Sequence, residues 1–314
     1  MNKSVTHLLS LADWPTELIE KTIELGMRVK QYPKEYAHAL DQRTLMMFFQ
    51  KPSLRTRTSF EVAMVQLGGH ALYYDLGASP WSKGKESIPD TARVVSRFCD
   101  ALIGRLYSQA ELEEMAKYAS IPVINALTDY EHPCQILGDL MTLKEKKGKL
   151  KGLALAYLGD GNNNVTHSLM FGCSKVGMDI SIGCPKGADY EPQPAVLAKA
   201  KEFAKKSGSK VEIFYEARSA VMQADVVYAD SWMSYHIPEE QRDERFTVFK
   251  PFQVHAQAMS YAKPSAVFMN CLPAQRGAEQ TAEVIDGPQS IVFDQAENRL
   301  HIQKAILLTL LGKT

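Results

Sequence analysis

Apolar runs alternate with amphipathic stretches along most of the chain. Runs such as 44–49 and 153–158 contain almost no polar residues, which is typical of strands buried on both faces of a parallel sheet. We predict strands at 44–49, 70–75, 101–107, 122–127, 153–159, 178–184, 211–215, 225–230, 266–271 and 290–294. We predict helices between them at 54–67, 87–98, 109–118, 132–146, 165–176, 194–206, 217–223, 253–261 and 297–311. This alternation predicts the α/β class, with two doubly wound parallel-sheet domains joined by long helices.

The domain boundary is predicted from charge and length. A chain of 314 residues is too long for one small core, and the segment 144–151 is highly charged and typical of a helix end. We therefore place one domain at 1–147 and a second at 148–314. The last helix, from about residue 297, is expected to pack back on the first domain.

The composition excludes several functional classes. Lysine plus arginine (36) balance aspartate plus glutamate (36), so there is no global positive field for nucleic acid. No apolar run approaches the roughly 20 residues of a membrane span, and the N-terminus lacks the pattern of a signal or transit peptide. The five cysteines are scattered without a CxxC pair, so we expect neither a disulfide framework nor a zinc site. These features predict a cytoplasmic protein with reduced thiols and no bound metal.

An anion site is predicted where the first strand meets its helix. Ser53 is a good helix N-cap, and it is followed by Leu54, Arg55, Thr56 and Arg57. Helix N-termini present free backbone N–H groups, and guanidinium groups bind phosphate or carboxylate through two parallel hydrogen bonds. The alternative is a capped surface helix with solvated arginines.

Polar residues follow other predicted strands of the first half. Arg105 stands at the exit of strand 101–107, where parallel sheets place ligand sites. His132 and Gln135 are three residues apart, so they share one face of a first helical turn and suit a polar carbonyl group. Taken singly, Arg105 is also compatible with an ordinary surface arginine, and His132 is also compatible with a helix cap.

The second half begins with a glycine-containing turn. Gly159 and Gly161 fit the dinucleotide pattern GxGxxG, but Asn164 stands at the third glycine position. A nicotinamide dehydrogenase is therefore disfavoured, and we expect no cofactor. The asparagines suit a ligand carboxylate or amine, although an ordinary asparagine-rich turn is equally compatible.

Four further features lie near later strand and helix ends. Asp230 is placed to bind an ammonium group, and the charged segment 239–245 that follows is a candidate mobile lid or a solvated face. Cys271 ends a strand, either beside the ligand or as a buried structural thiol. Arg299 lies in the first turn of the last helix.

In these motifs the chain resembles the aspartate/ornithine carbamoyltransferase family over nearly its whole length. The resemblance rests on the Ser-Leu-Arg-Thr-Arg segment at 53–57, His-Pro-Cys-Gln at 132–135, Cys-Leu-Pro at 271–273, Glu-Asn-Arg-Leu at 297–300 and the turn from Asp160 to Ser168. The Asp-Ser-Trp-Met-Ser element at 230–234 is similar to that of the ornithine branch.

The resemblance implies a reaction and a role for each site residue. The implied enzyme transfers the carbamoyl group of carbamoyl phosphate to the side-chain amine of L-ornithine, giving L-citrulline and phosphate in arginine biosynthesis. The implied catalytic residues are Arg105, His132, Cys271 and Arg299. The implied carbamoyl phosphate ligands are Ser53, Leu54, Arg55, Thr56, Arg105, His132, Gln135, Cys271, Leu272 and Arg299. The implied ornithine ligands are Asn164, Asp230, Ser234 and Tyr235. Family members form trimers in which a loop enters the neighbouring subunit's site, so Trp81 and Lys85 are expected there and a homotrimer is implied.

Four departures from the family pattern keep alternatives open. Leu54 replaces threonine, Asn270 replaces histidine, and Tyr235-His236 replaces the usual Met-Gly. Trp81 resembles the branches that use N-acylated ornithine, but those branches lack the aspartate at the position of Asp230. Free ornithine is therefore preferred over putrescine or N-acyl-ornithine as the acceptor. A non-catalytic homologue that only binds carbamoyl phosphate is the remaining alternative.

Overall fold

The structure is a computed structural model of the chain, and it describes residues 7–81, 83–234 and 237–313. Within them, every pair of neighbouring strands is parallel. The strands are β1 (Thr44–Phe49), β2 (His70–Asp75), β3 (Ala101–Arg105), β4 (Val123–Leu127), β5 (Ala154–Leu158), β6 (Asp179–Gly183), β7 (Val211–Phe214), β8 (Val226–Ala229) and β9 (Val267–Asn270).

Helices connect the strands. They are α1 (Thr16–Gln31), α2 (Leu54–Gln66), α3 (Ile88–Phe98), α4 (Gln109–Tyr118), α5 (Pro133–Lys147), α6 (Asn164–Lys175), α7 (Pro194–Ser207), α8 (Ala217–Val221), α9 (Arg242–Phe249), α10 (Ala256–Tyr261), α11 (Ala282–Ile285) and α12 (Val292–Leu310). Short 3-10 turns occupy Pro33–Tyr36, Leu76–Ala78, Glu239–Gln241 and Lys250–Phe252. The alternation of parallel strands with helices confirms the predicted α/β class.

The chain divides into two compact units. The first comprises Met1–Met141 and Glu297–Thr314, and the second comprises Thr142–Ala296. The chain passes between them within α5 and within α12. The C-terminal part of α12 belongs to the first unit.

The first unit is built on a four-stranded sheet in the order β2-β1-β3-β4. Apolar side chains from its central strands and from α3 and α4 form one cluster, which includes Phe48, Leu102, Val95 and Leu112. Full burial of a side chain of this size stabilises a fold by about 1.5–3 kcal/mol. The register aligns Phe49 with Arg105, and Arg105 with Leu127, so the carboxyl ends of β1, β3 and β4 lie side by side.

The second unit is built on a five-stranded sheet in the order β7-β6-β5-β8-β9. Its main cluster includes Leu158, Val227, Phe268 and Val221. The ends of β5, β8 and β9 are also aligned, because Leu158 pairs with Ala229 and Ala229 pairs with Asn270. In each unit the loops that follow these strands leave the sheet at one edge, where open parallel sheets place ligands.

Two sequence expectations are wrong. Residues 290–294 do not form a strand: Ser290 makes an isolated bridge to Phe268, and α12 begins at Val292. A short apolar run does not distinguish strand from helix, and here the helix-forming residues after it decide the outcome. Arg299 is also not in the first turn of the last helix, because α12 begins seven residues earlier, at Val292. The charged segment 239–245 forms a 3-10 turn and the start of α9.

Within the part of the chain that the structure describes, no helix is both long enough and apolar enough to cross a bilayer. All five cysteines are free and buried. Burial raises the pKa of the Cys134 and Cys184 thiols to about 12.

Candidate active site

The turn between β1 and α2 carries the predicted anion site. Ser53 caps α2, since its Oγ accepts a hydrogen bond from the Thr56 N–H at 3.2 Å. Leu54 begins the helix and is exposed, so the change from threonine at this position removes no buried contact. Arg57 turns away: its Nε donates to Glu61 and its guanidinium lies over the Tyr73 ring. The residues left to hold an anion are Ser53, Arg55, Thr56 and the first N–H groups of the helix.

Arg105 and Lys51 add positive charge to the same strand ends. Arg105 is only 4% exposed, and its Nη1 lies 3.5 Å from Thr56 Oγ1. Lys51 is equally buried, forms an ion pair with Asp129 and lies over the Tyr107 ring. Burial lowers the pKa of Lys51, and the Asp129 carboxylate partly opposes that shift.

His132 lies at the centre of this positive charge. It is 6% exposed, immediately before α5. Burial first, and then the charges of Arg299, Arg105, Arg55 and Lys51, hold the pKa of His132 well below its usual value. The imidazole is therefore neutral at physiological pH, and one ring nitrogen carries a hydrogen that it can donate.

Gln135 and Arg299 join the same cluster. The Arg299 guanidinium donates to Gln135 Oε1, and Gln135 Nε2 donates to Asp139 Oδ1 at 2.8 Å. Gly138 lies next to this arginine, because a Cβ added there would be in van der Waals contact with the Arg299 side chain at 3.4 Å. The first unit thus brings together Ser53, Arg55, Thr56, Arg105, His132, Gln135 and Arg299.

In the second unit, the turn after β5 is shaped by Gly159. Its φ of +133° favours glycine, and an added Cβ would lie 3.3 Å from Trp232 Nε1. Asn163 caps α6, since its Oδ1 accepts from the Thr166 N–H and its Nδ2 donates to the Tyr157 hydroxyl. Asn164 is the first residue of α6 and is partly exposed, as is Asn162.

Asp230 and Cys271 lie together at the ends of β8 and β9. The Cys271 thiol donates to Asp230 Oδ1 at 3.0 Å. Asp230 is 7% exposed, and burial raises its pKa, while hydrogen bonds from Cys271 and the Ser231 backbone oppose the shift. No basic side chain of the described residues pairs with Asp230. A buried carboxylate that has no basic side chain beside it favours the binding of a cationic ligand.

The other predicted ligand residues of the second unit follow β8 and β9. Ser234 is partly exposed, and its carbonyl accepts from the Ile237 N–H. Leu272 follows Cys271 with a φ of +58°, and its N–H donates to the buried Asn270 side chain at 2.7 Å. Asn270, in the place of the usual histidine, thus supports the Cys271-Leu272 turn. Tyr235 and His236 lie outside the described residues.

Trp81 and Lys85 belong to the segment between β2 and α3. Trp81 is half-buried and meets Phe48 edge to face, with ring centroids 6.2 Å apart. It borders a cavity of about 220 Å³ that Tyr74, Val94 and Phe98 also line. Lys85 is exposed.

Arg245 and Asp160 form an ion pair that sequence reasoning missed. Both are almost fully buried, and Arg245 Nε also donates to the Trp232 carbonyl at 2.7 Å. The Trp232 ring stacks on Phe249 and meets Phe246 edge to face. Arg245 therefore ties the loop after β5 to the loop after β8. No sequence signal separates it from its charged neighbours.

Among the described residues, no group of three or more histidine, cysteine, aspartate or glutamate side chains could hold a metal ion. The first unit therefore offers positive charge, a neutral imidazole and amide groups. The second unit offers a carboxylate beside a thiol.

Comparison with known proteins identifies the family. The aspartate/ornithine carbamoyltransferase carbamoyl-P binding domain matches residues 6–145, and the Asp/Orn binding domain matches residues 151–310. An ornithine carbamoyltransferase of Pyrococcus abyssi is 48% identical over 97% of this chain and 95% of its own length. One from Carboxydothermus hydrogenoformans is 50% identical over 97% of both. The solved ornithine carbamoyltransferase of Pyrococcus furiosus is 48% identical, with a TM-score of 0.93 over 98% of this chain and 97% of that one. The resemblance found in the sequence is confirmed, and the chain belongs to the aspartate/ornithine carbamoyltransferase family.

Proposed function

We propose that the chain is an ornithine carbamoyltransferase, which transfers the carbamoyl group of carbamoyl phosphate to the side-chain amine of L-ornithine and releases L-citrulline and phosphate. The observation that carries the choice of acceptor is Asp230, a buried carboxylate without a basic partner among the described residues. Ornithine supplies the missing cation through its α-ammonium group. An N-acylated ornithine has no charge on its α-nitrogen. Putrescine keeps an ammonium group but lacks the α-carboxylate, for which Asn164 is the proposed ligand.

Carbamoyl phosphate would bind in the first unit. Its phosphate oxygens would accept hydrogen bonds from Ser53, Arg55, Thr56 and the Leu54 N–H, with Arg105 bridging the phosphate and the carbonyl oxygen. His132 and Gln135 would hold the carbamoyl group. Arg299 and the carbonyls of Cys271 and Leu272 would fix its amino end.

The reaction follows from where charge develops. When a neutral amine attacks the carbamoyl carbon, negative charge builds on the carbonyl oxygen and on the departing phosphate. Arg55, Arg105 and the N–H of neutral His132 stabilise that charge without a covalent intermediate. Holding two reactants in one orientation supplies much of the remaining acceleration.

Ornithine would bind in the second unit. Asp230 would hold its α-ammonium group, and Asn164, Ser234 and Tyr235 would complete the ligand set, while Cys271 would lie beside the attacking amine. That amine must lose its proton before attack, so turnover should rise with pH as the δ-ammonium group deprotonates.

The first experiment measures citrulline formed by the purified chain from carbamoyl phosphate and L-ornithine. Parallel reactions replace ornithine with putrescine or with N-acetyl-L-ornithine. We expect turnover with ornithine and about 30- to 150-fold lower kcat/KM with the others, since a charge-assisted hydrogen bond is worth about 2–3 kcal/mol. N-acetyl-L-ornithine lacks the charge that Asp230 needs, and putrescine lacks the α-carboxylate. Turnover with N-acetyl-L-ornithine alone would assign the acceptor to that class. No turnover with any amine, together with retained carbamoyl phosphate binding, would indicate a non-catalytic homologue.

We also propose a homotrimer to which Trp81 and Lys85 contribute from a loop at the neighbouring subunit's site. Light scattering coupled to size-exclusion chromatography should give a mass of three chains of 35.1 kDa. A role in arginine biosynthesis follows if citrulline formation is the direction used in the cell. The five buried free thiols fit a reducing compartment such as the cytoplasm.

A further inference from the structure

The N-terminal segment of the described chain extends the first sheet. The Leu8 N–H donates to the Val123 carbonyl at 2.9 Å, and the Asn125 N–H donates to the Leu8 carbonyl at 2.7 Å. The Asn125 side chain donates to the Leu9 carbonyl at 2.9 Å. The segment therefore lies parallel to β4, along the edge that no other strand of the described residues covers.

Beyond this pairing, the segment reaches Glu131. Ser10 Oγ donates to Glu131 Oε1, and the Leu11 N–H donates to Oε2 at 3.1 Å. Glu131 is fully buried, so both carboxylate oxygens are held by two adjacent residues of the segment. Ser10 Oγ also accepts from the Ala12 N–H at 2.9 Å, which fixes the hydroxyl in place.

The backbone of Glu131 is fixed as firmly as its side chain. Its carbonyl accepts from the Thr128 N–H at 2.9 Å, and its N–H donates to Thr128 Oγ1 at 3.2 Å. The turn from Thr128 to Glu131 is thus closed at both ends. The next residue is His132, whose own carbonyl accepts the first hydrogen bonds of α5.

We propose that Glu131 is a positioning residue, which together with Ser10 orients His132 for the carbamoyl group. This inference rests on the proposed function, because it assigns His132 its contact with the carbamoyl oxygen. Glu131 itself touches no reacting atom. It transmits the position of the N-terminal segment to the imidazole through one peptide bond.

The test uses the full chain and a pair of substitutions that separate the hydrogen bonds from the charge. In E131Q the amide oxygen still accepts from the Leu11 N–H, and the amide N–H₂ can donate to Ser10 Oγ once the hydroxyl hydrogen has turned away. In S10A/E131Q that amide hydrogen has no acceptor at residue 10. E131A removes all of these contacts, and E20Q, on the exposed face of α1, is the matched control.

We expect E131Q to keep kcat within about threefold of the starting protein, and E131A and S10A/E131Q to lose about 10- to 100-fold in kcat, the effect of a misplacement of about 1 Å at a reacting centre. Affinity for inorganic phosphate, measured by calorimetry, should stay within about twofold, since Ser53, Arg55 and Thr56 hold phosphate without His132. The imidazole signal of His132 in NMR spectra, assigned with H132N, should shift in E131A and not in E20Q.

Unchanged kcat in S10A/E131Q, or an unmoved His132 signal in E131A, would overturn the proposal. Equal losses of kcat and of phosphate affinity would also overturn it, because they indicate a general loss of structure. The NMR comparison needs no turnover. A chain that forms no citrulline would therefore count against the proposed function, while the His132 signal still decides the role of Glu131.

Discussion

Replacing Arg245 with methionine should destabilise the second unit in a pH-dependent way. Methionine keeps most of the side-chain volume but removes the charge that faces Asp160 and the donor to the Trp232 carbonyl. Removing one partner of a buried ion pair costs about 3–5 kcal/mol when the other stays charged. The Asp160 carboxyl can escape part of this cost by binding a proton.

The pH dependence follows from Asp160. Burial raises its pKa to about 6 even with Arg245 opposing the shift, so loss of Arg245 raises it further. Where the folded chain holds a proton that the unfolded chain releases, stability falls as pH rises, by about 1.4 kcal/mol per unit. In the starting protein the loss of stability with rising pH ends near pH 6, where the folded chain releases the Asp160 proton. In R245M it continues upward, so we expect a destabilisation of about 2 kcal/mol at pH 6 and about 5 kcal/mol at pH 8.

Urea unfolding at pH 6 and pH 8, followed by tryptophan fluorescence, measures this effect, since Trp232 lies beside Arg245. R242M is the matched control on the same helix, where the partly exposed Arg242 pairs with Glu239, and it should cost about 0–1 kcal/mol. D160N/R245M should lose the pH dependence and recover part of the stability. A loss below about 1 kcal/mol in R245M at pH 8, or the same loss at both pH values, would refute the reasoning.

Further predictions concern the two substrates. R55A should weaken phosphate binding at least about 30-fold in calorimetry, since one charge-assisted contact is worth about 2 kcal/mol, while the KM for ornithine stays within about threefold; equal affinity in both proteins would contradict the anion site. D230N should raise the KM for ornithine about 30-fold or more without changing phosphate affinity. Because the pKa of Asp230 is raised and its ligand is a cation, ornithine affinity should fall as pH falls, and D230N should remove that dependence. H132N should lower kcat about 100-fold without moving the pH profile, because His132 is neutral throughout; a displaced profile would assign the titration to the histidine.

The sequence predicts strands well because their apolar runs are long and bounded by turn residues. β1 and β2 are found at the predicted residues, and the other strands that formed differ from their predicted bounds by one or two residues. The failure at 290–294 has a physical reason: Val292 and Phe293 suit a strand by composition, but the helix-forming residues after them continue without a turn. The local pattern of apolar residues alone does not distinguish a strand from a helix at these positions.

The candidate site was predictable where a residue type carries its own chemistry. Ser53 and His132 stand at helix starts and Arg105 ends a strand, which sequence patterns locate. Arg299 lies inside α12, so its motif and not its position in the helix identified it. Arg245 was not predictable, because burial and an ion pair with a residue far away in the chain give it its role. Glu131 was missed for the same reason, since its partners lie about 120 positions earlier.

The five buried cysteines give the protein a set of internal reporters of local opening. Cys99 and Cys134 belong to the first unit, while Cys173, Cys184 and Cys271 belong to the second. Only the thiolate reacts with a disulfide reagent, burial shields all five thiols, and it raises the pKa of Cys99, Cys134 and Cys184. Each modification rate therefore measures how often its surroundings open to solvent. Peptide mapping after timed exposure would give separate opening free energies for the two units, and slower labelling of Cys271 with ornithine present would mark the region that the acceptor closes.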